Sequence, residues 1–97
     1  MKHCILVKFN SEVTPERKAE MAGDVKALFD RTTEIPGIER ADLFTNCIDR
    51  ANRYDWMIQL TMDPEALPAY DSSLWHRQWK DTYGPLIEKK AIFDYEP

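Results

Sequence analysis

Arg53-Tyr54-Asp55-Trp56-Met57-Ile58-Gln59-Leu60-Thr61-Met62, followed directly by Asp63-Pro64-Glu65, is the stretch on which the fold turns. Tyr54, Trp56, Ile58, Leu60 and Met62 alternate with Asp55, Met57, Gln59 and Thr61, and this period of two predicts a third strand over residues 53–62. A capping acid, a proline at the first helical position and a second acid then open a helix. The chain begins with the same pattern. Residues 2–9 place His3, Ile5, Val7 and Phe9 on one side and Lys2, Cys4, Leu6 and Lys8 on the other, and Thr14-Pro15-Glu16 is again a helix opening.

Between these units, Met21, Ala22, Val25, Leu28 and Phe29 form one apolar helical stripe, which Gly23 weakens slightly. Ile35-Pro36-Gly37 ends that helix. Residues 38–46 are the second strand; Glu39, Arg40 and Asp42 make its alternation ragged, as an edge position tolerates. Asp49-Arg50-Ala51-Asn52 is a polar connection. Beyond Asp63 a short helix reaches about Tyr70. Pro68 lies one step past the positions where a helix accepts proline freely, so a tight or distorted turn is expected there. Ser72 or Ser73 caps a third helix carrying Trp75, His76, Trp79, Lys80 and Tyr83, which stops at Gly84-Pro85, and residues 90–95 form the last strand.

The order β-α-β-β-α-β predicts an α+β, ferredoxin-like domain over residues 1–97, with helices on one face of a four-stranded antiparallel sheet. Its other face would show Cys4, Leu6, Met57, Ala91, Phe93 and Tyr95. That much apolar surface calls for a cover, and the same face of a second copy supplies one as an isologous homodimer.

Composition narrows the function classes. With 17 acids against 13 bases, net charge −4 and no basic run, the chain lacks the cationic footprint of a nucleic-acid binder. No apolar run is long enough for a membrane span, and Lys8 interrupts the first one too early for a secretory signal. Two distant cysteines, Cys4 and Cys47, read as reduced thiols in a cytoplasmic protein. His3 and His76 are the only histidines, and no cluster has metal-ligand spacing.

Lys2-His3-Cys4-Ile5-Leu6-Val7-Lys8-Phe9, Ile35-Pro36-Gly37-Ile38, the segment from Tyr70 to Pro85, and Ile92-Phe93-Asp94-Tyr95 together resemble the stress-responsive A/B-barrel (Dabb) family nearly end to end. The resemblance implies a dimeric α+β barrel of two ferredoxin-like halves. Its olivetolic-acid-cyclase-like branch implies an aldol cyclisation without a cofactor. Such chemistry needs a base beside a carbonyl and a donor for the enolate oxygen. The resemblance gives those roles to His76 and Tyr70, places His3 in the pocket, and puts Asp94 near the end of the last strand, where it would orient His76. Trp56 stands where that branch has a histidine, and Ser73-Leu74 where the family often has His-Pro. With Trp75, Trp56 would line and crowd the pocket, favouring a small or flat aromatic or carbonyl ligand.

Each candidate has a plainer role. His76 serves equally as a structural histidine bonded to its surroundings, Tyr70 as a core aromatic, and Asp94 as a partner of Lys90. The function expected is therefore a homodimer with a small-ligand pocket, as a cofactor-free cyclase or lyase acting on a small carbonyl compound. The alternatives are a non-catalytic stress-response or small-molecule-binding dimer and, with a poorer motif match, a cofactor-free monooxygenase.

Overall fold

Strict alternation builds the first strand, β1, over Lys2–Phe9, in a computed structural model that describes residues 1–97. Helix α1 follows over Pro15–Asp30, with Thr14 as its cap: the hydroxyl accepts a hydrogen bond from the Arg17 backbone N–H at 3.1 Å. Pro15 occupies the first turn, where its missing N–H costs nothing. A 3₁₀ turn over Arg31–Glu34 extends α1, and Gly37 reverses the chain at φ 96°. A side chain there would be strained, and a Cβ would also stand 3.0 Å from that of Ala66.

Strand β2 runs over Ile38–Thr45 and β3 over Trp56–Met62. The strand expected from residue 53 thus begins three residues later, where register pairing ends at Trp56. The Asp55 backbone still donates to the Val7 carbonyl and accepts from the Asn46 N–H, each at 2.8 Å. Its carboxylate accepts from the Phe9 backbone N–H at 2.8 Å and pairs with Lys18 at 3.2 Å. A 3₁₀ turn over Pro64–Ala66 leads into α2, Leu67–Asp71, and α3 follows over Leu74–Tyr83. The tight turn expected near Pro68 is this 3₁₀ turn, and the α-helix restarts at Leu67, which puts the proline in a first turn. Ser73 caps α3, accepting from the His76 backbone N–H at 3.2 Å. After a 3₁₀ turn over Gly84–Leu86, β4 spans Ile87–Tyr95.

The sheet is antiparallel in the order β2-β3-β1-β4, so the ragged β2 does lie at an edge. On its helical face, Ile5, Val7, Phe9, Ile58 and Leu60 meet Met21, Val25, Phe29, Tyr70 and Trp79 in the core. On the open face the register lines up cross-strand rows: Phe44, Met57, Leu6 and Ala91 in one, Asp42, Gln59, Cys4 and Phe93 in the next. Phe93 is 63% exposed and Phe44 48%. Cys4 belongs to this face yet is buried, with its thiol donating to the Gln59 side chain at 3.7 Å. No helix is long and apolar enough to cross a membrane.

Candidate functional site

A cleft of about 270 Å³ opens on the helical side of the sheet, between β4 on one flank and α2 with α3 on the other. His3 and Ile5 come to it from β1, Lys90, Ile92 and Asp94 from β4, Tyr70 and Asp71 from α2, and His76 and Trp79 from α3. The alternation of strands explains the first two sets: positions 3 and 5 share a face, as do 90, 92 and 94, and antiparallel pairing sets His3 opposite Asp94. The Ser73 cap sets the first turn of α3 and with it the backbone of His76.

His76 Nδ1–H donates to the Asp71 backbone carbonyl at 2.9 Å, since a carbonyl can only accept. This bond fixes the tautomer and leaves Nε2 with its lone pair. Burial lowers the imidazole pKa below its ordinary value, against the pull of the Asp71 carbonyl and carboxylate, so the ring is neutral at pH 7. Tyr70 packs between the two histidines, 4.9 Å from His76 and 5.6 Å from His3, ring centre to ring centre. Its hydroxyl is buried with no hydrogen-bond partner, and burial pushes its pKa well above the usual phenol range. The hydroxyl therefore stays protonated, a donor waiting for an acceptor.

Asp94 does not orient His76. Its carboxylate accepts from His3 Nδ1 at 2.5 Å, across the β1–β4 pairing. Nor does it pair with Lys90. Neither tryptophan lines the cleft. Trp56 lies opposite Val7, four residues along β1 from His3, which is roughly 13 Å of strand; it packs edge-on against Phe9 at 4.7 Å. Trp75 projects away from the cleft to lie under the Arg31 guanidinium, 4.6 Å from its ring centre. The indole that does reach the cleft is Trp79, buried against Phe29. Lys90 and Ile92 were within reach of the sequence, because they alternate with Asp94. The Asp71 carbonyl was not, because only the α2–α3 bend brings it to His76.

A wider hollow of about 930 Å³ lies at the other end of the sheet, where Trp56, Phe9 and Val13 meet the 45–55 connection. It contains no histidine, and several of its charged groups are engaged with one another or with backbone. Lys18 holds Asp55, while Lys8 donates to the Ala51 carbonyl at 2.7 Å. Both histidines are in the smaller cleft. No group of three or more His, Cys, Asp or Glu comes together as a metal site.

The sequence model of the stress responsive A/B barrel domain matches residues 1–97. No curated protein matches the sequence. Among solved structures, an Arabidopsis thaliana protein is 20% identical with a TM-score of 0.74, over 99% of this chain and 93% of that one. A protein from Thermobifida fusca, described as dimeric, ferredoxin-like and of unknown function, is 18% identical at a TM-score of 0.81, over 99% and 89%. The hydroxynitrile lyase of Passiflora edulis is 15% identical at a TM-score of 0.72, over 97% and 89%.

Proposed function

The chain belongs to the stress responsive A/B barrel family, and from that premise we propose that it is a homodimer whose cleft performs cofactor-free acid–base chemistry on a small carbonyl compound, as a lyase or cyclase. One observation carries the reading: a neutral histidine of fixed tautomer and an unpartnered, protonated tyrosine face the same cleft. As a cyclase, His76 Nε2 takes a proton from the carbon beside a carbonyl, and Tyr70 O–H donates to the oxygen where enolate charge gathers. As a lyase, the same base takes a hydroxyl proton. The carbonyl forms, and the electron pair of the breaking carbon–carbon bond leaves with the departing group. His3, held by Asp94, supplies a second imidazole at the floor. A volume of about 270 Å³ falls below the about 300–1,000 Å³ typical of drug-sized ligands, which favours a small substrate. The hydroxynitrile lyase on the same fold supports the lyase branch.

The test is turnover of short β-polyketones and of aromatic cyanohydrins by the purified protein. Wild type should turn over one class, and His76→Ala should lower the rate by at least about 10²-fold. Equal rates for the two proteins would remove His76 as the base. Saturable binding without turnover of either class would leave the cleft a ligand-holding site.

The dimer rests on the open sheet face. Phe44, Phe93 and Tyr95 are exposed beside Leu6, Met57 and Ala91, and the relative from Thermobifida fusca is described as dimeric. Burying this face against its copy leaves the cleft open, because the cleft lies on the opposite side of the sheet.

A further inference from the structure

Lys90 is the cleft's one lysine or arginine, and the ion pairs of the molecule do not include it. It stands on β4 opposite Val7, on the helical face and four residues from Asp94. Both acids of its own strand are committed elsewhere: Glu88 stands 4.0 Å from the Lys8 ammonium, and the Asp94 carboxylate is held by His3. The other acid of the cleft, Asp71, lies on the opposing wall, at the end of α2. The strand wall therefore carries a free ammonium beside the Asp94 carboxylate that His3 holds, and the helix wall carries the Asp71 carboxylate. Ile92 and Leu67 add apolar surface between them, and the Tyr70 hydroxyl waits for an acceptor. Lys90 also acts on the cleft at a distance, since its charge contributes to holding the His76 imidazole neutral.

We propose that Lys90 is an anchor for an anionic group of the ligand, so that the cleft takes a carboxylate-bearing carbonyl compound with its charge toward β4. The inference rests on the reading of the cleft as a carbonyl-binding site, and it deepens that reading by naming the charge of the substrate. Asp71 penalises the reverse orientation and so fixes which end of the ligand faces His76 and Tyr70. Because Lys90 is solvent-exposed, its pull is that of a surface charge pair, and the preference it confers is roughly fivefold.

Benzoate and benzamide, equal in shape and different in charge, test this by NMR titration following the His76 ring and the Trp79 indole signals. Wild type should bind benzoate about fivefold more tightly than benzamide, with the preference shrinking as salt is raised. Lys90→Met should bring benzoate down to the benzamide level, and Lys90→Arg should keep the preference. Equal affinities in wild type, no binding of either compound in the cleft, or an equal loss of both in Lys90→Met would each overturn the anchor. Binding is read without turnover, so a protein that binds benzoate through Lys90 and transforms nothing would sink the proposed reaction and leave the anchor standing.

Discussion

A buried hydroxyl with no partner, such as that of Tyr70, destabilises a fold by about 1–3 kcal/mol. Tyr70→Phe should therefore raise the melting temperature, by roughly 4 °C or more for a domain of this size, while turnover falls by about 10²-fold. Calorimetry and rate measurement on one preparation check both; a lower melting temperature would mean that the hydroxyl is already satisfied. His76 gives a pH prediction. Its folded pKa lies below its ordinary value, so the native state binds its proton less readily than the unfolded chain. This contribution to stability is full above the unfolded value near 6.5 and is lost as pH falls below it. The acid limb of the pH–rate profile should likewise fall below that value, as an NMR titration of the ring would show. At this scale the sequence named residues that the fold brings together, but mistook their neighbours. Tyr70, His76 and His3 do meet, but Asp94 serves His3, since strand register assigns partners that residue types alone leave open. Trp75 and Trp79 are one helical turn apart, yet only Trp79 turns inward.

Two short signals position the elements around the cleft. Ser73 caps α3 and holds the first turn that bears His76. Ser73→Ala should cost about 1 kcal/mol in denaturant unfolding, and it should lower turnover as well, because the frayed turn carries the base. Gly37 makes the reversal into β2 at φ 96° beside Ala66. Gly37→Ala should destabilise by more than the about 1 kcal/mol by which such a change stabilises a compatible site, with the cleft's chemistry retained in the folded fraction. Strands and helix starts were legible because alternation and the cap–proline–acid pattern are local. The bounds of the 3₁₀ turns were not, since the restart that makes Pro68 harmless depends on how Pro64–Ala66 hands over to α2. The late start of β3 also escaped the pattern. Tyr54 and Asp55 keep the alternation, but register pairing with both neighbouring strands ends at Trp56.

For the whole molecule, the open face decides the state of assembly. Phe44 and Phe93 stand at opposite edges of the sheet, with Met57, Leu6 and Cys4 between them. Phe44→Asp combined with Phe93→Asp should convert a dimer into a monomer by light scattering, with far-UV circular dichroism unchanged. A double variant that keeps the dimer mass would move the interface elsewhere. Most of this face was legible from the alternation of β1, β3 and β4. Phe44 was not, because the charges of β2 hide its periodicity.

β4 has a consequence of a different kind. None of the sixteen core residues lies on it, yet it forms one whole wall of the cleft. The positions that select a ligand and the positions that hold the fold are thus almost separate sets on this wall. Substitutions at the exposed positions 90 and 92 can be explored at little cost in folding, whereas Asp94 also partners the buried His3. Descendants of this chain could therefore change what they bind one residue at a time. The scaffold favours divergence of substrate along its edge strand, while the tyrosine and histidine on the helices stay in place.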